Sequence, residues 1–143
     1  MDKTILCPID FSDSSIQALE YAIDLAQQEK SSITVIYSFR LIQSEEGQEI
    51  RLFKKTMEEE ANKRFRQLED SFSKESAVDH RFLVEIGFME DSIASQLKKN
   101  EVSKVVVDRA MCQSNDRESG IPKKFLESLK VPVIVVPDKA LTH

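Results

Sequence analysis

Thr4-Ile5-Leu6-Cys7-Pro8-Ile9-Asp10, followed by Phe11-Ser12-Asp13-Ser14-Ser15, is the stretch on which the fold turns. The run from Ile5 to Ile9 holds no charge, the pattern of a strand buried on both faces, as in a parallel sheet. The next segment is dense in side chains that cap helices, and Ser14 with Gln17 fits a capping box. Ile16, Leu19, Ala22, Ile23 and Ala26 then recur at helical spacing, so a helix is expected to about Gln28.

The alternation continues outward from that opening. Ser32 to Tyr37 reads as a second strand, rich in β-branched residues. Arg40 to Gly47 is polar and reads as a loop. From Gln48 to Ser73, Leu52, Phe53, Met57, Ala61, Phe65, Leu68 and Phe72 form an apolar stripe at steps of three or four, the mark of a long helix packed on a core. Arg81 to Glu85 is a third strand. A short helix carries Asp91, Ile93, Ala94 and Leu97 and ends near Asn100. Lys104 to Val107 is a fourth strand, ending at Asp108. Arg109 to Gly120 lacks an apolar period and reads as a loop. Ile121 to Leu129 reads as a short helix with Pro122 in its first turn, where a missing N–H costs nothing. Val131 to Val136 closes the chain as a strand containing Pro132, which an edge strand tolerates and a central one does not. Strands alternating with helices imply an α/β fold in three layers, a five-stranded parallel sheet with helices on both faces.

Composition bounds the function. The 143 residues suit one domain, 1–143, and a chain of this size buries roughly 68–70% of its unfolded surface. A net charge of −5 argues against duplex nucleic acid as a partner, which needs clustered Lys and Arg. No apolar run approaches the ~20 residues of a membrane span. The opening residues lack the apolar core of a secretory signal, and Cys7 and Cys112 cannot make a disulfide framework or a Cys-x-x-Cys metal site. The expectation is a cytoplasmic, reduced protein.

Open parallel sheets bind ligands beyond the carboxyl ends of their strands, where the strand order reverses. Two strands end in an acid, at Asp10 and Asp108. In a flavodoxin-like order with those strands as neighbours, the two carboxylates converge on a metal or phosphate–metal site. The plainer alternative is that each acid caps the helix or turn that follows it. Cys112 lies in a polar stretch between Arg109 and Arg117, but neither His80 nor His143 is placed to act as its base. A phosphoacceptor receiver domain needs an Asp after the third strand, where Glu85-Ile86-Gly87 stands instead.

Three segments carry a family likeness. Ile5-Leu6-Cys7-Pro8-Ile9-Asp10-Phe11-Ser12 resembles the first strand and turn of the universal stress protein family. Val84-Glu85-Ile86-Gly87-Phe88-Met89-Glu90-Asp91-Ser92-Ile93 is similar to that family's strand–Gly–helix segment, and Val131-Pro132-Val133-Ile134-Val135-Val136 to its closing strand. The resemblance covers nearly the whole chain. It implies a Rossmann-like, adenine-nucleotide alpha-hydrolase-like sheet of order 3-2-1-4-5.

The family's nucleotide-binding branch carries a Gly-x2-Gly-x9-Gly-Ser/Thr loop after the fourth strand, whose glycines let backbone N–H groups approach phosphates. Here Asp108 and Met111 stand where the first two glycines belong, and Ser119-Gly120 occupies the Gly-Ser position in a segment two residues short. A carboxylate repels phosphate, and Met111 is bulky. The resemblance therefore implies a member without an intact ATP loop, with no catalytic residues, no required cofactor and no metal ligands assigned. The alternative is a nucleotide binder, for ATP or AMP, or a slow ATPase using a degenerate pocket of Pro8, Ile9, Asp10, Asp108, Ser119 and Gly120, with ATP and magnesium as its ligands. A redox or regulatory partner protein, relying on Cys112 or on Glu58-Glu59-Glu60, is a third class. The apolar closing strand, an edge, calls for a cover, and a second copy paired across a twofold axis supplies one. Val131, Val133 and Val135 are the expected homodimer contacts.

Overall fold

The computed structural model describes residues 3–39, 47–72 (of 47–52 the backbone), 78–99, 101–113 and 120–137. In chain order they form β1 (Thr4–Pro8), α1 (Asp13–Glu29), β2 (Ser32–Phe39), α2 (Gly47–Phe72), β3 (His80–Ile86), α3 (Met89–Lys99), β4 (Val102–Asp108), α4 (Arg109–Gln113), α5 (Lys123–Ser128) and β5 (Val133–Val136). The strands are parallel, in the order β3-β2-β1-β4-β5. That is the expected 3-2-1-4-5 order. The flavodoxin order, 2-1-3-4-5, would separate β1 from β4, so their adjacency belongs to the Rossmann-like arrangement and the flavodoxin label is corrected.

Strand alternation divides the core. Ile5, Cys7 and Ile9 join Leu19, Ala22, Ile23 and Ala26 of α1 and Phe65 of α2 on one face of the sheet. Leu6 meets Ile93 of α3, Met111 of α4, Ile121 and Leu126 of α5 on the other. Each β1 residue in these lists is 0% exposed, which is why its sequence shows no polar alternation.

Helix α1 starts earlier than the capping box suggested. Its N-cap is Ser12, whose Oγ accepts from the Ser15 N–H at 3.2 Å, and not Ser14. The displacement has a local cause: Asp10 Oδ1 accepts from the Ser12 N–H at 2.9 Å and also from its hydroxyl, and Phe11 is left-handed at φ 63°. Together they turn the chain into the helix one residue after Phe11.

The α2 stripe is only partly core. Ala61 and Phe65 are buried, and Phe65 stacks on Phe82 of β3 with centroids 4.3 Å apart, but Phe53 is 41% exposed. A helix of 26 residues is about 39 Å long, whereas the seven residues of β3 span about 23 Å, so the two cannot cover one another along their whole lengths. Gly87 closes β3 at φ 128°, a conformation closed to other residues, and donates its N–H to Phe39 O at 2.8 Å.

Three further boundaries differ from expectation. The stretch read as a loop from Arg109 begins as α4, Pro122 is the N-cap of α5 and not part of its first turn, and β5 begins after Pro132. Pro132 still serves the sheet, because its carbonyl accepts from the Val105 N–H at 3.0 Å. The strand proper is the edge that was expected. The loop expected at 40–47 lies outside the described residues except for Gly47, which opens α2. Among the described residues, no helix is long and apolar enough to cross a membrane.

Replacing a capping Ser by Ala costs about 1 kcal/mol. Ser12→Ala is therefore expected to lower the unfolding free energy by that amount in urea titration, while Ser14→Ala stays within about 0.5 kcal/mol of the parent. Equal losses would return the cap to Ser14.

Candidate functional site

The sheet order puts the β1 and β4 ends side by side, so the candidate pocket is built there. Pro8 and Ile9 are buried, and the Ile9 N–H is bonded to Ile36 O at 2.8 Å, which fixes the last step of β1. Asp10 follows in solvent. Its N–H donates to Ser15 Oγ at 3.2 Å, and its carboxylate accepts from Ser12, so both of its polar ends serve the turn into α1.

Asp108 is in the opposite situation. It is 1% exposed, and its Oδ1 accepts from the Met111 N–H at 2.6 Å, the geometry of a side chain capping α4. Continuing the pairing Leu6↔Val105 sets Asp108 beside Ile9, on the side of the sheet shared by Cys7 and Val106. Asp10 falls one residue later and on the other alternation. The convergence of the two carboxylates is thus corrected: Asp10 sits in the solvent-facing turn, where it holds the N-cap Ser12, and Asp108 sits inside, where it caps α4. Among the described residues, no group of three or more His, Cys, Asp or Glu could hold a metal ion.

Asp108 shapes its neighbours electrostatically. Burial first, and the Asp108 charge second, push the Cys7 thiol far above its ordinary range and the Cys112 thiol up to about 11. Cys112 is a free, half-buried thiol, and both influences on it run against the lowering that Arg109 and Arg117 would exert.

Beyond α4 the chain is clasped. Met111 is 3% exposed, and its carbonyl accepts from the Ile121 N–H at 3.0 Å, beside the buried Gly120. Ser119 and Arg117 lie outside the described residues. Arg109, Lys123 and Lys124 are exposed.

One cluster at this end of the sheet escaped the sequence reading. The Phe11 ring lies 5.1 Å from Tyr37 and 6.1 Å from Phe82, and the Arg64 guanidinium of α2 sits 4.5 Å above it. Burial, opposed by the charge of Arg64 and reinforced by Asp10 and Glu60, raises the Tyr37 phenol above its usual value. An aromatic at i and i+2 of β2, Tyr37 and Phe39, was the available signal; nothing local announced Arg64.

At the β5 edge, Val131 and Val133 are partly buried against the α3–α5 side of the core, whereas Val135 is 46% exposed. Of the three expected contacts, Val135 is the one that faces outward most.

Residues 1–137 match the model of the universal stress protein family. Universal stress protein UspA from Lactobacillus plantarum superposes with a TM-score of 0.76 at 19% identity, covering 94% of this chain and 97% of that one. A universal stress protein in complex with cAMP gives 0.71 at 17%, over 95% and 97% of the two chains. The universal stress protein from Archaeoglobus fulgidus in complex with dAMP gives 0.60 at 14%, over 94% and 97%. No curated protein matches.

The position of Asp108 can be tested through Cys112. Asp108→Asn keeps an oxygen to accept from Met111 and removes the charge, so the Cys112 pKa should fall and the thiolate fraction rise. Iodoacetamide labelling of Cys112 at pH 8 is expected to be slow in the parent and several-fold faster in the variant. Identical rates would show that the carboxylate charge does not reach the thiol.

Proposed function

Since the chain belongs to the universal stress protein family, we propose that it acts as a dimeric stress-response or regulatory protein, working by association instead of turnover and without strong ATP binding. The observation that carries the reading is the capped turn after β4. A phosphate cradle needs backbone N–H groups free to approach the ligand. Here the Met111 N–H is held by Asp108, and the Met111 side chain is packed into the core. A buried carboxylate at the head of the segment opposes phosphate besides. These residues do not fit the phosphates of ATP.

Association is supported by the sheet order, which leaves β5 at an edge with Val135 exposed. Pairing with a second copy would cover both the unpaired backbone and that side chain. The second reading, nucleotide binding by the degenerate pocket, is favoured by the likeness to the cAMP and dAMP complexes. In that reading Asp10 faces the nucleoside or a magnesium ion, and Gly120 lies near the phosphate.

A thermal-shift series with magnesium and ATP, ADP or AMP separates the two. Saturating ligand at 100 times its dissociation constant stabilises by ~2.7 kcal/mol, on the order of 8 °C for a domain of this size. No shift at millimolar nucleotide is the expected result. A shift of that size, lost in Asp10→Ala, would overturn the proposal in favour of nucleotide binding. For the dimer, Val135→Glu is expected to give monomers or aggregates by light scattering. Val133→Glu is less informative because Val133 also packs on the core. An unchanged dimer in Val135→Glu would remove the β5 interface.

A further inference from the structure

The opposite end of the sheet, away from both strand-end acids, holds a cavity of about 570 Å³, within the range of small-ligand pockets. It is formed where the amino ends of β1, β2 and β3 meet the end of α1. Lys3 precedes β1, Lys30 and Ser31 join α1 to β2, and Arg81 is the second residue of β3, and all four line it. None of the three cations has a carboxylate within 4.0 Å among the described residues, although the chain as a whole is acidic. Among the described residues Asp79 is the one carboxylate in the lining, and His80 there is already bonded to Glu69. Ser31 is 7% exposed, and its hydroxyl makes no hydrogen bond among the described residues.

Three cations without an ion-pair partner among the described residues, gathered around one concavity, raise the local potential for anions against the negative field of the whole chain. Two point ammoniums and a planar guanidinium in one lining suit tetrahedral oxyanions better than a single carboxylate, because several oxygens can each take a charge-assisted donor. The C-terminal end of α1 works against an anion, since helix C-termini carry partial negative charge. That contribution is reduced here, as Ala26 O already accepts from the N–H groups of Lys30 and Ser31.

We propose that this amino-end cavity binds a small phosphate-bearing anion through Lys3, Lys30 and Arg81, with Ser31 as a further donor. The site is separate from the carboxyl-end pocket, and its occupancy does not depend on whether that pocket takes a nucleotide.

Inorganic pyrophosphate is the probe, titrated calorimetrically into the full chain at low ionic strength. One saturable site per chain is expected. Losing one charge-assisted donor costs about tenfold in affinity. Lys30→Gly combined with Arg81→Ala is therefore expected to weaken binding roughly hundredfold. Glycine at that position also suits the left-handed φ of 57°, so the fold should not suffer. Lys54→Ala with Lys63→Ala removes the same charge from α2 and should leave the affinity within about twofold. Should the first pair fail to fold, Lys3→Ala alone is expected to cost about tenfold. No saturable binding at millimolar pyrophosphate, or equal weakening by the two pairs of substitutions, would overturn the proposal.

Discussion

Everything in this fold leans on β1 being inaccessible to water from either side. A central parallel strand has a neighbour on each edge and a helical layer on each face, so its residues must be apolar and its backbone groups must pair with β2 and β4. Ile5, Leu6, Cys7 and Ile9 meet the first demand at 0% exposure, and the ladders to Ser32–Ile36 and Val102–Val105 meet the second. The helices then take positions that β1 dictates: α1 lies over Ile5, Cys7 and Ile9, while α3 lies over Leu6 with the short helices beside it. The chain can turn polar only where this strand stops. That is why the first charged side chain of the candidate site, Asp10, stands where it does.

Much of this was written locally. Elements whose pattern runs for many residues, such as α1 and the β-branched β2, read correctly from periodicity because burial alone sets their spacing. The likeness of Ile5–Ser12 and Val131–Val136 to the family supplied the strand order, which periodicity could not, since order is a matter of which strands meet in space. What failed were the boundaries governed by single hydrogen bonds. The Asp10–Ser12 bonds moved the start of α1, and the Asp108–Met111 bond made a helix of what composition read as a loop. A lone side chain accepting one N–H has no period to detect.

The candidate site was legible as a list of residues and illegible as an arrangement. Asp10 and Asp108 were picked out by their places at strand ends, yet alternation sends them to different environments. Arg64 and Phe11 are more than fifty residues apart, and Lys3, Lys30 and Arg81 span nearly eighty. Such groupings exist only once the sheet is assembled. The same holds for Cys112: Arg109 and Arg117 lie near it in sequence, but its thiol is raised by burial first and by the buried carboxylate of Asp108 second.

The clasp between Met111 and Ile121 has a consequence for how this protein could have changed over time. A bond between the residues that flank an interval of chain makes the fold nearly indifferent to that interval's length, since closing a loop twice as long costs only about 0.6 kcal/mol more. Insertions, deletions and replacements in that interval are then judged by what they do for a ligand or partner, and hardly by folding. A lineage could abandon glycines there, or regain them, while the sheet beneath stayed the same. Drift of that kind turns one scaffold into receptors for unlike molecules.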